Sequence, residues 1–64
     1  MDKNAKIYIA GHNGMVGSAI KRNLESKGYN NIVTRSFSEL NLLSETQVID
    51  FFDAEQPEYV VLAA

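Results

Sequence analysis

Three glycines, Gly11, Gly14 and Gly17, lie between a short β-branched run and a helical stripe, and this junction constrains the fold more than any other stretch of the chain. Before it, Lys6-Ile7-Tyr8-Ile9-Ala10 reads as a strand buried on both faces, because Ile7, Tyr8 and Ile9 follow one another with no polar residue between them. Behind it a helical period sets in. Val16, Ala19, Ile20 and Leu24 recur at three- and four-residue steps, with Lys21, Arg22 and Glu25 on the other side. The helix starts at Asn13 or Met15 and runs to Lys27, and Gly28 stands where a left-handed C′ residue ends it. Each glycine of the Gly-x-x-Gly-x-x-Gly junction has a physical role in a dinucleotide site. Gly11 allows the tight turn off the strand, Gly14 removes a Cβ where a pyrophosphate approaches the backbone, and Gly17 lets the helix pack closely on the strand. The same spacing also fits a tight strand-to-helix turn with a packing glycine and no ligand.

The remainder repeats the alternation. Asn30 and Asn31 form a turn, and Ile32-Val33-Thr34 is a second short β-branched strand. Residues 36–43 have no clean period and read as loop. Ser44-Glu45-Thr46-Gln47 fits a capping box in which Gln47 reaches back to the Ser44 amide. Val48, Ile49, Phe51 and Phe52 then make a second helical stripe to about Glu55, Pro57 closes it, and Tyr59-Val60-Val61-Leu62-Ala63-Ala64 is a third buried strand. The order is β-α-β-α-β, which implies parallel strands joined by right-handed crossovers. With the two helices expected on one face and the first strand left as an exposed parallel edge, the other face would lie open. Met1 reads as a true start, whereas the chain stops inside its third apolar strand. The expectation is therefore an α/β protein of which residues 1–64 are the N-terminal portion of a Rossmann-type, doubly wound parallel sheet, an incomplete NAD(P)-binding domain.

Composition removes several other classes. The 64 residues, 45% of them apolar, suffice for one small core and no second one. Cysteine is absent and His12 is the only histidine, so disulfides, thiolate nucleophiles and a metal site are not expected. Six Lys and Arg against eight Asp and Glu give a net charge of −2, with no basic stripe to follow nucleic acid. No apolar stretch approaches the ~20 residues of a membrane helix, and no signal peptide is evident; a soluble, cytoplasmic protein is the default.

The first amides of a helix are unpaired and its dipole is positive at that end, so an anion is favoured beside Gly14. The end of the second strand normally faces the adenosine ribose, where an acid accepts from the 2′-OH and a base accommodates a 2′-phosphate. Arg35 stands there, 18 positions past Gly17, and no Asp or Glu falls between Gly28 and Glu39. A guanidinium matches phosphate in a bidentate way, which favours NADP over NAD; a solvated arginine at the start of a loop is the plainer alternative. The His12 ring could touch phosphate, but a loop histidine is more often simply solvated. Phe51 and Phe52 read as core, as do Tyr8 and Tyr59 with hydrogen-bonded hydroxyls. Ser36 and Ser38 have no histidine or lysine partner to make either a nucleophile.

Ile9-Ala10-Gly11-His12-Asn13-Gly14-Met15-Val16-Gly17-Ser18-Ala19-Ile20 resembles the opening of the GDP-L-fucose synthases, a family of extended short-chain dehydrogenases/reductases. Thr34-Arg35-Ser36, Glu39-Leu40-Asn41-Leu42, Phe51-Phe52, Pro57-Glu58-Tyr59-Val60 and Leu62-Ala63-Ala64 extend the likeness over nearly the whole chain. The resemblance implies the start of a two-domain oxidoreductase and isomerase that epimerises GDP-4-keto-6-deoxy-D-mannose at C3 and C5 and reduces it at C4 with NADPH, in GDP-L-fucose biosynthesis. It implies a GDP-sugar substrate and a homodimer for the complete enzyme. It also places Gly11, His12, Asn13, Gly14, Met15, Val16 and Gly17 at the pyrophosphate, Arg35 near the 2′-phosphate, residues 37–42 with Asn41 and Leu42 past the adenine, and Ala63 and Ala64 at the border of the cofactor. Many members carry arginine in place of Asn13 and a second basic residue in place of Phe37, so NADP binding rests on Arg35 and NAD stays open as the alternative. The family's catalytic Ser and Tyr-x-x-x-Lys lie beyond position 64, so the chain holds no catalytic residue and is expected to be inactive alone.

Two other readings keep the glycine loop: an NAD-dependent sugar-nucleotide epimerase or dehydratase, which an acid at position 35 would favour, and a non-catalytic nucleotide-sensing module. A receiver domain needs an acidic pair after the first strand, and a P-loop NTPase needs Gly-Lys-Ser/Thr. Neither is present.

Overall fold

The structure, a computed structural model, describes residues 2–63. It contains β1 (Ile7–Ala10), α1 (Met15–Ser26), β2 (Ile32–Thr34), α2 (Glu45–Glu55) and β3 (Tyr59–Leu62). The expected α/β alternation is thus present, within about two residues of each expected boundary.

The strand order is β2-β1-β3, all parallel, with Ile9 opposite Thr34 on one side and Ala10 opposite Leu62 on the other. This corrects the expectation that β1 is an edge: it is the central strand, and all four of its residues are buried. The chain moves outward from β1 to β2 and then crosses back over β1 to β3. Two right-handed crossovers that run in opposite directions place their helices on opposite faces, so the single-face arrangement is corrected too. Tyr8 and Ala10 cluster with Leu40 and with Phe51 of α2, flanked by Val33 and Phe52. Ile7 and Ile9 alternate to the other face, where they are also fully buried, and α1 packs against β1. Both faces of β1 are therefore covered, as its uninterrupted apolar run requires.

The edges differ from expectation for the same reason. β3 is an edge strand whose Tyr59, Val60 and Leu62 are exposed, Leu62 by 76%, so Tyr59 is not a core residue. Along α1 Gly17 is buried and Ser18, Ile20, Lys21 and Leu24 are half-buried, while Val16 and Ala19 face outward. The close approach of Gly17 to Gly11 sets this rotation and turns Val16 away from the sheet.

The caps follow the local chemistry. Gly28 adopts φ 91° and the Tyr29 amide donates to Leu24 O, closing α1 as a Schellman turn. Lys3 Nζ brings a cation to the Lys27 carbonyl at that end, 2.6 Å away. Ser44 Oγ accepts from the Gln47 amide at 3.4 Å, but Gln47 Oε1 accepts from the Asn41 amide at 2.9 Å instead of that of Ser44. The box is half-formed because the Ser44 amide already donates to Asn41 O. Gln56, left-handed at φ 47°, ends α2 ahead of Pro57.

Candidate functional site

The chain turns back between β2 and β3, so the sheet's switch point, where open α/β sheets bind ligands, lies at the carboxyl ends of β1 and β3. A cleft of about 260 Å³ opens next to it, beyond the carboxyl ends of β1 and β2, lined by the turn residues Gly11, His12, Asn13 and Gly14, by Arg35 and by the loop residues Phe37, Leu40, Leu42 and Leu43. Tyr8 and Ser36 complete it.

The polar end is built from backbone. Gly11 adopts φ 85°, which an L side chain rarely does, and turns the chain directly off β1. The Gly14 amide donates back to Gly11 O at 3.1 Å, and Gly14 is the N-cap of α1. No side chain caps this helix, and its first turn holds no acid. α2 is the contrast, with the Ser44 hydroxyl on its N-terminus and Glu45 in its first turn. The α1 terminus thus keeps its amides and positive dipole end for an external acceptor. A Cβ at Gly14 would meet nothing nearer than Gly11 O at 3.5 Å, ordinary contact, so packing inside the chain does not require glycine there. The open space that a Cβ would take belongs to the cleft.

The other end is apolar and carries one cation. Phe37, 72% exposed, and Leu42 and Leu43 present hydrocarbon to solvent at the cleft. Tyr8 is only 2% exposed and packs its ring 4.6 Å from that of Phe51 and edge-on to Phe52. Its hydroxyl makes no hydrogen bond among the described residues, contrary to expectation. No buried side-chain oxygen there lacks a partner, so the hydroxyl reaches the open cleft and not a sealed core. Burial pushes its pKa up, and the nearby Arg35 charge pulls the other way.

Arg35 follows β2 directly. Its Nη1 donates to Thr34 O at 2.7 Å, its Nη2 lies 3.3 Å from Glu55 Oε2, and the guanidinium sits 5.4 Å from the centre of the Phe51 ring. The 36–40 turn beside it is closed by Glu39, whose carboxylate accepts from the Ser36 amide at 2.8 Å. That bond, the Ser36 side chain and the charges of Arg35 and His12 hold the Glu39 carboxyl below the usual carboxylate range.

Of the sequence-derived site residues, the structure brings Gly11, His12, Asn13, Gly14, Arg35 and Leu42 to one cleft. Met15 and Val16 are exposed in the first turn of α1 but do not line it. Gly17 lies buried beneath it, against Gly11. Asn41 shapes the loop, its Oδ1 accepting from the Leu43 amide at 2.9 Å. Ala63 continues the ladder beyond β3 by donating to Ala10 O at 2.9 Å, beside Gly11; Ala64 lies outside the described residues. Sequence reasoning did not assign Tyr8, Ser36 or Leu43 to a site. The signal available for Ser36 and Leu43 was only their position in an aperiodic segment, and Tyr8 reads as core from its strand.

Among the described residues no group of three or more His, Asp or Glu could hold a metal ion, and no helix is long and apolar enough to cross a membrane.

Comparison with known proteins bears out the fold. Residues 7–64 match the NAD dependent epimerase/dehydratase family. The chain is 52% identical over 59 residues to the GDP-L-fucose synthase of Escherichia coli, covering 92% of this chain and 18% of that protein. It is 51% identical over 63 residues to GDP-L-fucose synthase 1 of Arabidopsis thaliana, covering 98% and 20%. Among solved structures it superposes with a TM-score of 0.98 and 48% identity on a GDP-D-glycero-L-gluco-heptose synthase of Campylobacter jejuni determined in the presence of NADPH, covering all of this chain and 19% of that one. A GDP-mannoheptose C4 reductase of the same organism with NADP bound gives the same TM-score and identity, covering all of this chain and 20% of that one. The chain spans about a fifth of the length of the curated relatives it matches. With its parallel β2-β1-β3 sheet and its glycine turn at the switch point, the chain belongs to the NAD dependent epimerase/dehydratase family.

Proposed function

We propose that residues 1–64 form the N-terminal portion of the cofactor-binding domain of an NADPH-dependent GDP-sugar reductase. The supporting observation is the two-ended cleft: the glycine turn and the N-terminus of an uncapped helix at one end, and Arg35 beside Phe37, Leu40, Leu42 and Leu43 at the other. A dinucleotide has this same division, with phosphates joined to a flat apolar base. The residues present fit that ligand. Gly14 leaves the space a pyrophosphate needs, the α1 terminus offers amides and no competing carboxylate in its first turn, and Arg35 supplies the charge for a 2′-phosphate. When bound, the cofactor supplies the hydride for carbonyl reduction. This chain's own residues hold and orient it. Gly11 sets the turn, Met15 to Gly17 present the amides, and residues 37–42 cover the base.

The sequence likeness to GDP-L-fucose synthases favours 3,5-epimerisation and C4 reduction of GDP-4-keto-6-deoxy-D-mannose as the reaction of the complete polypeptide, acting as a soluble homodimer. The 48% identity to two heptose-directed enzymes supports a second reading, C4 reduction of a GDP-heptose. Incubating the complete enzyme with NADPH and each 4-keto sugar nucleotide, with products identified by NMR, decides between them. GDP-L-fucose from the 6-deoxyhexose supports the first reading, and turnover of the heptose alone supports the second. Turnover of neither, with no NADPH oxidised, contradicts both.

A further inference from the structure

Arg35 is held from behind. Glu55, the last residue of α2, does not line the cleft, whereas Arg35 lines both the cleft and the shallow depression on α2 that contains Glu55. The guanidinium thus stands between the carboxylate and the ligand space. Glu55 is itself fixed: Lys6 Nζ lies 2.9 Å from its Oε1 and donates to its main-chain carbonyl, also at 2.9 Å. That leaves Oε2 for Arg35 Nη2 at 3.3 Å. Charge alternates along the chain of contacts, Lys6 positive, Glu55 negative, Arg35 positive. Glu55 is thus shared between the two cations and does not neutralise Arg35 alone. Two of the five guanidinium N–H groups are taken, by Thr34 O and Glu55, and three remain for an incoming anion.

We infer that Glu55 is a positioning residue that holds the Arg35 guanidinium at the cleft for the 2′-phosphate, and so sets the margin by which NADPH is preferred to NADH. The inference rests on the reading of the cleft as an NADPH site. Its physical basis is preorganisation: an arginine side chain gives up considerable rotamer freedom when it binds a phosphate, and a fixed carboxylate on the far edge removes that freedom beforehand. Glu55 does not line the cleft, so NADH, which lacks the 2′-phosphate, should gain nothing from the brace.

The test is equilibrium binding of NADPH and NADH to the complete protein and to its Glu55→Gln, Arg35→Ala and doubly substituted forms. Glutamine keeps the shape and an acceptor but loses the charge. Glu55→Gln should weaken NADPH roughly tenfold and leave NADH unchanged, and in the Arg35→Ala background it should cost nothing further. An unchanged or tighter NADPH affinity in Glu55→Gln overturns the inference, since the carboxylate would then be idle or a competitor. Equal losses for both cofactors, or losses that add in the double variant, also overturn it, since Glu55 would then only support the fold. If Arg35→Ala itself leaves the NADPH to NADH ratio unchanged, the underlying reading of the site fails. A ratio that falls in Arg35→Ala but not in Glu55→Gln removes the brace alone.

Discussion

A Cβ placed on Gly17 would lie 2.7 Å from the carbonyl carbon of Gly11 and nearer still to its oxygen, so the first turn of α1 and the turn off β1 touch backbone to backbone. The atoms in the way are main chain and cannot swing aside. Gly17→Ala is therefore expected to destabilise the complete protein by about 1–3 kcal/mol, the usual range for overpacking, and to lower dinucleotide affinity by displacing Gly11 to Gly14. Urea denaturation checks the first effect; an unchanged midpoint would mean that the two turns are not in contact.

The cation at the cleft is expected to read the 2′-phosphate. Arg35→Ala should weaken NADPH by about 10–100-fold with NADH within about twofold, as measured by titration calorimetry. Parallel losses for both cofactors would assign Arg35 to the loop's structure through Thr34, Phe51 and Glu55.

The turn that carries Phe37 to the cleft depends on a charged Glu39. Its folded pKa lies below the ordinary value of 4.5, chiefly because the Ser36 amide donates to the carboxylate. A depressed carboxyl pKa means stability that is present above the unfolded value and lost as pH falls through the folded one. The Ser36 amide resonance should accordingly titrate with a midpoint below pH 4.5, and Glu39→Gln should abolish that step. A midpoint at or above 4.5 would contradict the bond.

Local chemistry was the legible part of this chain. Gly28 ends α1, Ser44 starts α2 and Pro57 follows its left-handed end, because each depends on neighbours within a few residues. The side of β1 taken by β3 was not legible. A helical crossover has the same apolar period whichever way it travels, and it is the strand order β2-β1-β3, with Ile7 and Ile9 buried on the face opposite Tyr8 and Ala10, that puts the helices on opposite faces. The exposure of Val16 and Tyr59 follows from relationships the pattern does not contain: the contact of Gly17 with Gly11, and the edge position of β3. The glycine turn and Arg35 were visible as a site because their chemistry is local. Leu43 and Ser36 join it through a loop path with no period, and Tyr8 joins it from a strand where an aromatic ring ordinarily means core.

The central claim is that the space at Gly14 belongs to a ligand and not to the fold, since a Cβ there meets only Gly11 O at 3.5 Å. The direct measurement is dinucleotide affinity and thermal stability of Gly14→Val in the complete protein. The account predicts a folded variant, with circular dichroism unchanged, that has lost at least about 100-fold in affinity for NADPH and NADH alike. A folded variant that binds both as tightly as the parent would contradict it.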